Sequence, residues 1–220
     1  MKQTPAMAAL LVWGFGAAAM GQSVQVGTMA PAPALLALSG DSYRFLSELY
    51  YEGNDRPGAR RSAAVLNFMS QDSASSAESL PLFMAVARKV QSHDALRGQV
   101  RFFLVVADPF GQTSRLSLYL DRHRVGTPVD VLLDPRRKAC KLFGVDQLPR
   151  TFVISRSGIL VADVEGTGGD YSKELAKGIV KAIRSPESAP KPDRAAAGGP
   201  LAVRDSAAAP DDDPAQPMRW

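Results

Sequence analysis

The chain has 220 residues, 45% of them hydrophobic and 22% charged, with a formal charge of +4 at pH 7, which is enough to build one sizeable core. Its arginines are scattered (Arg56, Arg60 and Arg61; Arg122 and Arg124; Arg136 and Arg137 beside Lys138) without the aromatic interleaving of a nucleic-acid platform, so no nucleic-acid partner is expected. A single cysteine, Cys140, excludes any intramolecular disulfide, and with two histidines it offers no metal-site spacing, so neither metal nor other cofactor is expected.

In chain order, residues 1–21 read as a cleaved secretory signal: Met1-Lys2, a largely apolar stretch to Met20, then small residues at peptidase spacing in Ala19-Met20-Gly21. The apolar run is shorter than the roughly 20 residues of a spanning helix. An uncleaved anchor facing the periplasm is the alternative, and the only route to a membrane. No cysteine follows the run, which excludes a lipoprotein.

Residues 31–38 and 42–46, around Gly40-Asp41, suggest a small hairpin. Residues 63–69 (AAVLNFM) are a short apolar run of the kind that makes a buried central strand. A helix opens at Asp72 and the serines after it and runs to about Val90, with Leu80, Phe83, Met84 and Ala87 on its inner face. A second buried strand fits 100–107, a polar helix 113–124, and a third strand 128–133, stopped by Asp134-Pro135. A short helix over 136–143 ends at Gly144. Residues 151–154 and 159–164 flank Ser155-Arg156-Ser157-Gly158 and predict an antiparallel hairpin. The closing helix spans 171–183 with Leu175, Ile179, Val180 and Ile183 inward. From Ser185 the composition turns to Pro, Ala, Gly and Asp, which predicts a disordered tail. Its terminal Met218-Arg219-Trp220 reads as a frayed end, or as a short docking motif. The expected domains are thus a signal at 1–21, one folded domain at 22–184 and a tail at 185–220. Parallel βαβ units closed by a hairpin and a helix predict an α/β sandwich with a mixed sheet.

A family likeness is carried by Val65-Leu66-Asn67-Phe68, then four residues, then Ser73-Ala74-Ser75-Ser76 and Leu80-Pro81. This resembles the strand, active-site loop and first helix of the exported TlpA-like branch of the thioredoxin-like superfamily, related to the redoxins. There the loop reads roughly Trp-Ala-x-Trp-Cys-x-x-Cys, followed by Glu-apolar-Pro. Further matches are Val26-Gly27, Ala30-Pro31, Gly40-Asp41, Asp134 and Phe143-Gly144-Val145, and above all Leu148-Pro149-Arg150-Thr151-Phe152-Val153-Ile154. The last segment resembles the loop whose proline is cis and lies against the active-site pair. The resemblance implies a three-layer thioredoxin-like sandwich with an added N-terminal β-hairpin.

It also implies that the active-site cysteines are replaced by Ser73 and Ser76, so no catalytic residue is expected. Met69 and Asp72 stand where the loop has aromatic residues, and Ser79 where it has a buried glutamate. A serine hydroxyl is too weak an acid to replace the thiolate, and it forms no mixed disulfide. The serines have structural work available: Asp72 or Ser73 can N-cap the helix, and Ser75 to Glu78 has capping-box spacing. A serine hydrolase needs a histidine, and His93 and His123 fall at helix ends away from the loop.

Cys140 is the remaining reactive candidate, with Arg136, Arg137 and Lys141 near enough to lower its pKa, although it precedes Leu142-Phe143 in a helix that must pack on the sheet. No Pro-x-x-x-Thr-x-x-Cys of the peroxidase group follows the central strand. What the resemblance leaves in place is a peptide groove at Leu148, Pro149 and Arg150, next to the Ser73 to Ser76 turn. The leading expectation is a periplasmic binding or scaffold module for another exported protein. The alternative is a thiol-dependent oxidoreductase or peroxidase using Cys140.

Overall fold

The computed structural model describes residues 24–39, 42–46, 62–109 and 113–185. The expected signal, Gly40-Asp41 and the tail after Ser185 lie outside the described residues. One mixed sheet contains β1 (Ala34–Ala37), β2 (Tyr43–Phe45), β3 (Ala63–Met69), β4 (Val100–Val106), β5 (Val129–Leu133), β6 (Arg150–Ile154) and β7 (Leu160–Glu165), in the order β2-β1-β5-β4-β3-β6-β7. Strands β3, β4 and β5 are parallel, β6 runs antiparallel on β3, and β7 and β1 run antiparallel on β6 and β5. The helices are α1 (Ala74–Ser92), α2 (Thr113–Arg122), α3 (Lys138–Phe143) and α4 (Tyr171–Arg184). The fold class read from the sequence is the one that forms, including the N-terminal hairpin of β1 and β2.

Every residue of β3 is buried because both faces of the sheet are covered. The period of two divides the strands between two cores. Val65, Met69, Phe102, Leu104 and Val106 point to the face under α1, α2 and α4, with Phe83, Leu116 and Ile179. Leu66, Phe68, Phe103 and Val105 point to the other face, where α3 brings Cys140 and Phe143 against Phe152. Phe68 meets Phe143 with ring centroids 5.3 Å apart and Phe152 at 5.7 Å, an aromatic cluster under the strand that leads into the loop of interest.

Three details depart from the periodicity. Val180 does not face the core: it is 43% exposed, and Gly178 and Ala182 take the buried positions instead. The reason is close packing, since a Cβ on Gly178 would lie 2.8 Å from Ala162 Cβ, so α4 rolls its smallest residue onto the sheet. Helix α2 ends at Arg122, two residues early, where Arg124 takes φ 53° and the Val125 amide turns back to the Leu120 carbonyl at 2.8 Å. Helix α3 starts two residues late, at Lys138, because the Asp134 carboxylate collects its first amides. It stops at Gly144, whose φ of 64° suits a residue without Cβ. The Leu148-Pro149 peptide is cis as expected, and Thr127-Pro128 is a second cis bond.

Candidate functional site

The loop leaving β3 is held by a carboxylate from the neighbouring strand. Asp108, just past β4 and 8% exposed, accepts from the Ser70 hydroxyl at 2.5 Å and from the Gln71 amide at 3.0 Å. Ser70 Oγ in turn accepts from the Asp72 amide at 3.2 Å. Ser73 then N-caps α1, its hydroxyl oxygen taking the Ser76 amide at 3.2 Å. The capping box read over Ser75 to Glu78 does not form, because α1 already begins at Ala74 and both residues are exposed inside it.

The two positions carrying serine differ in exposure. Ser73 is half-buried and engaged as the cap. Ser76 is fully buried, with its Oγ facing the Ser70 amide at 3.4 Å and its carbonyl accepting from the Ser79 hydroxyl at 3.1 Å. Met69 and Ser79 are buried as well. Ser75 alone of this turn borders the groove.

That groove encloses about 460 Å³ and is lined by Ser75, Asp146, Gln147, Leu148, Pro149, Arg150 and the start of the turn after β7, Glu165 to Thr167. The structure therefore brings the Leu148-Pro149-Arg150 segment and the serine turn together, but through Ser75 rather than through Ser73 or Ser76. Pro149 is buried and Leu148 half-buried against the second core. The main chain of Leu148 makes no hydrogen bond to another described residue.

Arg150 is not a free cation. Its Nε and terminal nitrogen donate to the two carboxylate oxygens of Asp163 at 2.9 and 2.7 Å, and the same terminal nitrogen lies 3.0 Å from Glu165. These partners hold its pKa above the usual value, led by the Asp163 hydrogen bonds. The groove lining thus sets Asp146 and Glu165 against one guanidinium that Asp163, outside the lining, already engages, and its balance is acidic.

Cys140 lies elsewhere. It is 1% exposed in the core beneath α3, beside Phe143 and Ala139. Burial, then the Asp134 charge, pushes its thiol up to about 11, and these outweigh the opposing pull of Arg137. Of the cationic neighbours read from the sequence only Arg137 acts on the thiol, since the helix begins at Lys138 and leaves Arg136 off it, and Arg137 does not decide the outcome.

Other polar groups lie away from the groove, and among them Asn67 Oδ1, Tyr119 Oη and Arg156 Nε are buried without a hydrogen-bond partner among the described residues. Asn67 donates to Thr151 Oγ1 at 2.7 Å and to the Tyr171 hydroxyl at 3.3 Å, joining β3, β6 and α4 in the core. His93 ends α1, and His123 stacks on Tyr119 at 4.3 Å; neither lines the groove. Among the described residues no cluster of three or more potential ligands could hold a metal, and no helix is long and apolar enough to cross a membrane. Sequence reasoning missed Asp108, Asp146, Asp163 and Glu165. Asp108 had one signal, a carboxylate following directly on a wholly apolar strand end.

No protein-family model and no curated protein matches the sequence. Solved structures match at the level of fold. A thiol:disulfide interchange protein DsbE from Chlorobium tepidum superposes with a TM-score of 0.58 at 22% identity, over 73% of this chain and 99% of that one. A protein disulfide isomerase from Bacteroides thetaiotaomicron gives 0.59 at 15% identity, over 74% and 92%. A secreted Mycobacterium tuberculosis disulfide oxidoreductase, described as homologous to Escherichia coli DsbE, gives 0.51 at 15%, over 68% and 96%.

Proposed function

From a thioredoxin-like fold whose single cysteine rules out a Cys-x-x-Cys pair, we propose an exported module that binds a segment of another exported protein and performs no dithiol–disulfide chemistry. The observation that carries the reading is the groove beside Pro149. It pairs an open main-chain edge at Leu148 with a shaped cleft, the combination that adds an extended peptide to a protein surface. Its acidic balance selects a partner segment carrying Lys or Arg. Export rests on the apolar N-terminal stretch, and the secreted neighbour supports it.

The serines support the absence of chemistry. By the resemblance they stand at the two redox positions, and here both are absorbed in building the turn. Reactive use of Cys140 is disfavoured by its burial and by a pKa near 11, which leaves almost no thiolate at neutral pH.

The test is affinity capture from a periplasmic extract with the parent chain and with Ser75→Trp, which sets an indole at the groove rim without touching either core. A partner that the parent retains and the variant loses supports the reading. A set of partners retained equally by both overturns it, and so does reduction of insulin by the parent.

A further inference from the structure

A second surface lies on the helices that cover the other end of the first core. Between α1 and α4 runs a groove of about 350 Å³ whose floor is apolar, with Val86, Val90 and Leu96 on one side and Ala176, Ile179 and Val180 on the other. It continues into a hollow along the outer face of α4. The rims are cationic. Lys173, Lys177, Lys181 and Arg184 follow one another up α4, and Lys89 stands across on α1. Neither lining contains a carboxylate, and none of these five cations forms an ion pair with another described residue. Lys181 makes one hydrogen bond, to the Val161 carbonyl at 3.4 Å.

An ordinary solvated helix face mixes its charges or pairs them at i and i+4, and it keeps its apolar residues inward. Here Val180 stays 43% exposed on the floor, among the four cations of α4, against which the helix sets one carboxylate, Glu174, outside both linings. Gly178 explains why: α4 is turned so that its glycine meets Ala162 and Val153, and the rotation carries Val180 out. A face built this way suits a ligand with apolar anchors and negative flanks.

We propose that the α1/α4 groove docks an acidic amphipathic helical segment of a protein partner, with its apolar stripe on Val180, Val86 and Leu96 and its carboxylates on the lysines. The recessed Val86 and Leu96 favour this over an anionic membrane, because surface-seeking helices offer a row of projecting apolar side chains to the lipid, whereas here only Val180 projects. The helix-in-groove mode needs anchors at i, i+3 or i+4, and i+7, the spacing that also places flanking carboxylates toward α4.

The probe is an amphipathic peptide with leucines at those spacings and glutamates on both flanks, labelled for fluorescence anisotropy and titrated with the full chain at low salt. A lysine-flanked peptide of the same leucine pattern serves as control. Saturable binding of the acidic peptide is expected, weakened about tenfold by Lys177→Glu with Lys181→Glu, since two exposed pairs change sign. Val180→Asp weakens it as well, and far-UV circular dichroism confirms that both variants remain folded. Equal binding of the two peptides, or no effect of the variants, overturns the proposal. Sedimentation with phosphatidylglycerol vesicles, or dimers lost in the double variant, overturns it too, by giving the face to lipid or to a second copy.

Discussion

Two aspartates at the carboxyl ends of neighbouring parallel strands do the same mechanical task in two different settings. Asp108 follows β4 and holds the loop that precedes α1, through the Ser70 hydroxyl and the Gln71 amide. Asp134 follows β5 and holds the start of α3, through the Lys138 amide at 2.8 Å and the Cys140 amide at 2.9 Å. The first anchors a turn of small polar residues beside a cleft. The second anchors the only thiol, in a closed core. A reactive cysteine needs free helix-end amides and exposure. In this chain the end that could offer them carries a serine cap, and the end that carries the cysteine has spent its amides on a carboxylate whose charge opposes ionisation.

The largest effect expected from breaking that symmetry comes from Asp134→Ala. It strands two amides, one of them buried, and it removes charge-assisted bonds, so a loss of about 3 kcal/mol is expected. Asp108→Ala frees one amide and one hydroxyl nearer to solvent, and should cost about half as much. Urea denaturation ranks the two. Thiol labelling under native conditions separates them further: Cys140 should label faster in Asp134→Ala and not in Asp108→Ala. Equal labelling would mean that α3 does not depend on its carboxylate anchor.

A smaller effect is read by pH. The unfolded thiol ionises near 8.5, while the folded one keeps its proton to about 11. Between these values unfolding releases a proton, so stability is intact below about pH 8.5 and falls as pH rises to 11. Tyr171, buried and pushed up to about 12, extends the fall in the same direction above pH 10. Cys140→Ala lowers stability at neutral pH through the cavity it leaves, but it should flatten the slope between about pH 8.5 and 9.5, where Tyr171 is mostly protonated in both states. Urea midpoints across that interval measure the slope. An unchanged slope would place the thiol in contact with solvent.

What the sequence disclosed follows from physics it displays directly. Strands buried on both faces have no polar alternation to confuse them, so β3 and β4 were legible from 63–69 and 100–107. The Ser73 cap was legible because a hydroxyl before a helical run has a local task. Val180 was misplaced because its orientation is set by Ala162, across the interface from Gly178, and not by the spacing along α4. Arg150 was legible as a groove residue, but its neutralisation by Asp163 depends on the β6–β7 register, in which Phe152 is opposite Asp163 and Arg150 opposite Glu165. Charge balance in a cleft is a property of pairing, and single-chain patterns do not reveal it.

The smallest expected effect tests whether the serine turn keeps the geometry of a dithiol site. In Ser73→Cys with Ser76→Cys the two residues are the N-cap and the third helical position, about 5–6 Å apart at Cβ, and must close to about 3.5–4.5 Å for a disulfide to form. Sulfur is a weak acceptor, so the cap is lost at about 1 kcal/mol, a cost that closing even so short a loop can offset. The helix end should lower the thiol pKa at position 73 below about 8.5. The Asp72 carboxylate opposes this, softened by Arg115 at 3.5 Å. The expected outcome is a disulfide that forms under mild oxidation, and slow insulin reduction with dithiothreitol as electron source. The parent should show none, since Cys140 stays buried in both. Mass spectrometry of the oxidised variant after cysteine alkylation counts the thiols directly: one alkylated cysteine marks the bridge, three mark its failure. A folded variant with three free thiols would mean that Ser73 and Ser76 do not stand at the redox positions, and the turn would then be a helix cap and nothing more.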